Sequence, residues 1–126
     1  MTAEELVRAA LALKGETSET ADDYRGYALT ALNIILAEVL PLENQLRYIR
    51  GETELSAAPE LSTFSDPVPY DAQLIKTCAA YGLAAKLTIE DSNAPLFNYL
   101  NQMYAQAFSE GTPGKTERIC DSVWGD

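Results

Sequence analysis

Histidine is absent from the sequence altogether, and with it go the commonest general base, the commonest metal ligand and the usual switch near neutral pH. Histidine-dependent catalytic triads are excluded. Cysteine is nearly as scarce: Cys78 and Cys120 stand far apart, without the close pairing of a zinc site or a redox motif. Among apolar neighbours Cys78 reads as a small buried hydrophobe, and Cys120, in a tail, as an exposed thiol. A disulfide between them would need the fold to bring them together. Basic residues are few too, nine against nineteen acids, and the net charge of −10 is spread without any block of like charge. Tight DNA binding rests on lysine and arginine neutralising phosphates, so free nucleic acid would be repelled. The same charge suits a surface past which DNA slides without sticking, and equally suits plain solubility. Long apolar runs are also missing. Ala31 to Leu42 and Cys78 to Ala85 fall short of the roughly 20 residues that cross a bilayer, so no membrane span is expected. The opening residues Met1 to Glu5 lack the basic start and apolar run of a secretory signal, which points to a cytoplasmic origin. No glycine-rich phosphate loop occurs: Gly111, Gly114 and Gly125 are isolated and Lys115 lacks the strand-to-helix context. No cofactor is expected.

What remains is the composition of one packed domain. The chain has 126 residues, 47% hydrophobic and 22% charged, which fits a single core and leaves no room for two. Thr2 with Glu5 forms a capping-box pattern that starts a first helix, predicted to run to about Lys14 before Gly15 as a left-handed stop. Its stripe is Leu6, Ala10 and Leu13, with Val7 and Leu11 beside them. A second helix comes next, capped by Thr20 with Asp22 and Asp23 in its first turn. Apolar residues at Tyr24, Ala28, Ala31, Ile35, Val39, Leu42, Leu46 and Ile49 keep helical steps straight past Pro41. That periodicity favours one long helix kinked at the proline, with two helices meeting at Leu40 as the alternative.

Gly51 closes the second helix, and the stretch to Pro69 holds Pro59, Pro67 and Pro69 among serines and threonines, the chemistry of a loop. Leu55, Leu61, Phe64 and Val68 are available to pin it, and a short strand over Leu61 to Phe64 is the competing expectation. Pro69 makes a first residue for a third helix with Asp71 in its first turn, reaching about Glu90. Leu74, Ile75, Cys78, Tyr81, Ala85 and Ile89 mark one face, but Ala79, Ala80, Leu83 and Ala84 make the middle apolar nearly all round. Such a helix belongs at the centre of a bundle, where Gly82 lets neighbours approach closely. Ser92 or Asn93 caps a fourth helix with Pro95 in its first turn and a broad stripe of Leu96, Phe97, Leu100, Met103, Tyr104, Ala107 and Phe108. The expected architecture is all-α: a compact four-helix bundle over residues 1–111 and an extended tail over 112–126, in which Ile119, Val123 and the only tryptophan, Trp124, are the apolar members.

Two clusters invite chemistry. Glu16, Glu19, Asp22 and Asp23 lie at a helix entrance, and helical nucleotide hydrolases hold magnesium with paired acids. A second acidic pair facing the first is then required, but Glu90 and Asp91 are adjacent and point to different sides of a helix. Capping and solvation of the helix start account for the first group. The seven tyrosines recur at helical spacing, as core residues with wet hydroxyls do. Leu46-Arg47-Tyr48-Ile49-Arg50 places two arginines near a helix C-terminus, where they offset the dipole, partner contact being the other reading.

The order of elements resembles the small head-tail connector proteins of tailed bacteriophages and prophages, also called adaptor or head-completion proteins. What carries the likeness is Ala31-Leu32-Asn33 with Ala37-Glu38, Leu46-Arg47 before Gly51, and above all Tyr81-Gly82-Leu83-Ala84-Ala85 after a proline-led helix start. Glu90-Asp91 then precedes an aromatic last helix with Phe97, Tyr99 and Tyr104, so that the likeness covers about residues 20–110. The resemblance implies a non-enzymatic subunit that joins a homo-oligomeric ring between portal and tail proteins in the virion neck, assembled in the host cytoplasm, with DNA passing nearby. Its ring contacts would come from helix faces and extended termini, which makes Ile119, Val123, Trp124, Arg47 and Arg50 the candidate interface residues. The tail either orders on a neighbouring subunit or partner, or folds back on its own bundle. A helical metal-dependent nucleotide hydrolase and an unrelated helical protein-binding adaptor are the competing functions.

Overall fold

The structure is a computed structural model that describes residues 1–15, 25–89 and 93–110. Its helices are α1 (Ala3–Leu13), α2 (Arg25–Arg50), α3 (Ala72–Leu74), a π-helical segment (Ile75–Ala79), α4 (Ala80–Thr88) and α5 (Ala94–Glu110). Because α3, the π segment and α4 adjoin one another without a break, the architecture is the expected four-helix, all-α bundle, with no strand among the described residues. The predicted entrance of the second helix, including Thr20, Asp22 and Asp23, lies outside the described residues.

The N-terminus of α1 shows how its amides are satisfied. The Glu5 amide donates to Thr2 Oγ1 at 3.3 Å, and the Thr2 amide donates to the Glu5 carboxylate at 2.8 Å, closing the capping box. The amides of Ala3 and Glu4, orphans in any helix, donate to the carbonyls of Asp66 and Phe64. Val68 in turn donates to the Met1 carbonyl, and Thr2 and Pro67 form one antiparallel bridge. The proposed strand over Leu61 to Phe64 does not form. The loop runs as single chain, and its backbone is claimed by the start of α1 and by side chains of α2. Gly15 lies just after α1 at φ 83° and Gly51 just after α2 at φ 76°, both left-handed stops.

Helix α2 passes through Pro41 unbroken, so two helices meeting at Leu40 is ruled out. The proline removes the partner of the Ala37 carbonyl, but Ala37 and Pro41 are both exposed, so water meets the cost. Its buried stripe is Ala28, Leu32, Ile35, Leu36, Val39 and Leu42. Residues Gly26–Arg50 are long and apolar enough to cross a membrane by composition, contrary to expectation, yet 44% of the apolar window is buried within the bundle. Ile49, assigned to the stripe, is exposed, because the core ends at the loop crossing the last turn.

The third helix begins later than predicted. Asp71 is its cap and not a first-turn residue: its carboxylate accepts the Leu74 amide at 3.0 Å, and Pro69 lies outside the helix. The π segment leads directly into α4, and Ile89, expected on the inner face, lies just past the end of α4 and is exposed. Helix α4 is the centre of the bundle as expected, packing against α1, α2 and α5. Ala80, Gly82, Leu83, Ala84, Ala85 and Leu87 are all buried. A Cβ on Gly82 would lie 2.7 Å from both Ile35 Cδ1 and Tyr104 Cε1, so this position admits no side chain at the present helix spacing. Asn93 caps α5 through the Leu96 amide. Only Leu100 of α5 is fully buried, so the broad stripe expected there is half-covered.

Candidate interaction surface

Arg47 and Arg50 project from the last turn of α2 onto the chain's own loop. Arg47 Nε donates to Glu43 Oε2 at 2.7 Å, while its other two nitrogens donate to the carbonyls of Thr53 at 3.1 Å and Pro69 at 2.9 Å. Those two carbonyls belong to the two ends of the loop. One guanidinium therefore ties both ends to α2. Glu43 is buried, and its second oxygen accepts the Asp71 amide at 2.8 Å. Arg50 pairs with the Asp71 carboxylate, which that hydrogen bond holds below its ordinary range. The arginines thus clasp the loop to α2 and the cap of α3, in addition to offsetting the helix dipole. Glu43 carried no signal in the sequence, since an isolated acid on a helix reads as solvent-facing until a loop covers it.

Ile119, Val123 and Trp124 lie outside the described residues, as do Cys120, Glu90-Asp91 and the acids Glu16, Glu19, Asp22 and Asp23. Among the described residues no group of three potential metal ligands is placed to hold an ion. Cys78 is free and buried, and burial pushes its thiol up to about 11.

Large apolar residues left in solvent lie at the N-terminus (Met1), on α2, where Ile34 is 47% exposed in mid-helix, just after α4 and on α5. Tyr48 is 75% exposed, Ile49 65%, Ile89 62% and Tyr99 54%. Tyr48 and Ile49 are consecutive on the last turn of α2, beside the arginine clasp that holds their backbone in place. Ile89 lines a shallow hollow of about 310 Å³ with Thr88, Asn93, Ala94 and Phe97, where α4 gives way to α5. Further along α5, Glu38 receives the Tyr104 hydroxyl at 2.7 Å and pairs with Lys86 at 3.2 Å. Burial, then the bond to Glu38, raise the Tyr104 hydroxyl well above its ordinary value, so it stays a neutral donor. Tyr48 and Ile49 are the two most exposed of the large apolar residues and are flanked in sequence by Arg47 and Arg50.

The class that the fold defines is an all-α helical bundle, with large apolar side chains exposed on α2, just after α4 and on α5. No protein family, curated protein or solved structure matches the chain.

Proposed function

We propose that the chain is a non-enzymatic assembly subunit of a tailed bacteriophage or prophage, a head-tail connector protein that joins a ring between portal and tail. The observation that carries this reading is Tyr48 and Ile49, consecutive and both mostly exposed on the helix end that Arg47 and Arg50 tie to the loop and to Asp71. Rigid aromatic and aliphatic anchors are what an interface uses as its energetic centre. Support comes also from the residues that carry the family likeness: Gly82 to Ala85 form the close-packed centre of the bundle. The charge of −10 favours a channel wall that does not retain DNA. Ile119, Val123 and Trp124 supply a second apolar contact under this reading.

Co-purification with portal rings encoded in the same gene cluster tests it. The expected result is a portal-bound ring visible by electron microscopy, lost in Tyr48→Glu and Ile49→Glu. A gene lying away from capsid, portal and tail genes, or portal rings that never retain the chain, would overturn the proposal.

A further inference from the structure

Helix α5 is the least covered element of the bundle, and a groove of about 470 Å³ separates it from α2, lined by Glu38, Asn101, Tyr104, Ala105, Phe108 and Ser109. Its wall is aromatic. The rings of Tyr104 and Phe108 meet edge to face at 6.1 Å, and both are only half-buried. At the α2 side stands Glu38, whose two oxygens each hold one partner, Tyr104 and Lys86. Each carboxylate oxygen accepts more than one bond, so the groove combines apolar surface with spare acceptor capacity. The complementary group is a large apolar side chain carrying one N–H donor, which describes an indole.

The chain itself supplies one. It continues from Glu110 at the end of α5, next to Ser109 in the groove lining, with Gly111-Thr112-Pro113-Gly114, a run of turn-forming residues. Trp124, the only tryptophan, lies beyond that run. Between Gly114 and Trp124 the chain spans about 33 Å if extended and about 15 Å if helical. The groove from Ser109 back to Asn101 needs about 12 Å along α5. Either conformation reaches.

We propose that in the free subunit residues 112–126 turn back at Thr112-Pro113-Gly114 and seat Trp124 in the groove between α2 and α5, over Tyr104 and Phe108, with the indole N–H donated to Glu38. The occupant is this chain's own C-terminal segment. The proposal is independent of the assembly role, because it concerns one subunit alone.

With one tryptophan in the chain, fluorescence reads the proposal directly. Three full-length proteins are compared with a synthetic peptide of residues 111–126: wild type, Ala105→Arg and Gln102→Arg. Ala105 is an exposed position in the groove lining, and Gln102 is an exposed α5 position outside it; arginine is nearly as good a helix former as alanine. The expected wild-type emission is blue-shifted from the peptide's and several-fold less quenched by iodide, at concentrations where the protein is monomeric. Ala105→Arg should move both readings to those of the peptide with circular dichroism unchanged, and Gln102→Arg should leave them as in wild type. If Ala105→Arg disturbs the helix signal, Ser109→Arg blocks the other end of the groove and takes its place. Peptide-like emission in the wild type, or a buried tryptophan indifferent to the blocking variants, would overturn the proposal. So would a blue shift that grows with protein concentration, since the occupant would then be a neighbouring copy's segment.

Discussion

Asn33 holds Leu61 by both of its backbone groups: the side-chain amide donates to the Leu61 carbonyl at 3.0 Å, and the side-chain oxygen accepts the Leu61 amide at 2.9 Å. Asn44 repeats the arrangement on Leu55, at 3.0 Å and 2.8 Å. The two asparagines are separated by a rise of about 16 Å along α2, against about 20 Å of fully extended chain between Leu55 and Leu61. The loop is therefore laid nearly straight back along the helix, each asparagine standing in for a paired strand residue. Asn33→Ala removes two bonds and strands two part-buried backbone groups, which should destabilise by about 1 to 3 kcal/mol. Urea unfolding measures the loss. Hydrogen exchange should show the Leu61 amide unprotected while that of Leu55 stays slow; protection retained at Leu61 would mean the asparagine is not what holds it.

Gly82→Ala sets a gain against a loss. Alanine improves helix propensity by about 1 kcal/mol, but its Cβ would meet the Tyr104 ring and Ile35 well inside contact distance. Ile35 Cδ1 is the flexible end of a side chain, whereas the Tyr104 ring is anchored through its hydroxyl to Glu38. Overpacking of this kind costs about 1 to 3 kcal/mol, so the variant should be the less stable protein in urea. A stability equal to or above wild type would show that α4 and α5 separate freely here.

Much of this fold was legible in the sequence, and the parts that were not share a cause. The cap formed by Thr2 and Glu5, the stops at Gly15 and Gly51 and the central position of α4 arise from local chemistry and helical periodicity. What escaped depends on a neighbour. Asp71 caps α3 instead of sitting inside it because Arg50 and the Glu43 network fix it there. The π segment is announced by no residue type, and Ile89 is exposed because it lies just past the end of α4, beyond the part of the helix that its neighbours cover. Arg47 and Arg50 are recognisable as candidates from their place near a helix C-terminus, but the carbonyls of Thr53 and Pro69 that Arg47 reaches are revealed by no side-chain pattern.

Arg47→Ala should be among the most damaging single changes. It leaves the buried Glu43 carboxylate without its cation and frees both ends of the loop. Breaking a buried pair from one side costs about 3 to 5 kcal/mol. Arg47→Lys should recover little, since a point charge does not reproduce a planar fork reaching three acceptors. Replacing both partners, as in Glu43→Leu with Arg47→Met, should cost less than Arg47→Ala alone. A double variant weaker than the single one in urea would refute the view that the stranded carboxylate causes the damage.

Alkaline pH should loosen the protein through two buried acids. Burial pushes Cys78 up to about 11 from an ordinary 9.0, and burial, then the charge of Glu43, push Tyr70 up to about 12 from 10.0. In both cases the fold favours the protonated form. Their stabilising contribution is complete below the ordinary values and is lost as pH rises through the folded ones. The urea midpoint should be level between about pH 7 and 9 and fall from there to about pH 11, with a shallower fall in Cys78→Ala. The acid limb has the opposite sign: Asp71, lowered first by its bond from Arg50, supports the fold above its ordinary 3.8 and loses that support as pH falls further. An alkaline limb as steep in Cys78→Ala as in wild type would remove the thiol from the account.

Tyr48→Glu and Ile49→Glu separate contact from stability. Both side chains are mostly in solvent at the end of α2, so neither replacement opens a cavity, and surface changes of this kind stay within about 0.5 kcal/mol. A carboxylate at the centre of an apolar contact, by contrast, is desolvated without a partner and costs several-fold to many-fold in affinity. The expected pattern is an unchanged melting temperature with lost association, whether the partner is a portal ring or another copy of the chain. The adjacent Arg50→Ala should behave differently, lowering stability by releasing Asp71 and weakening association only as the helix end loosens. Should Tyr48→Glu and Ile49→Glu associate like wild type while Arg50→Ala does not, the contact surface would lie on the loop that the arginines hold and not on the apolar pair.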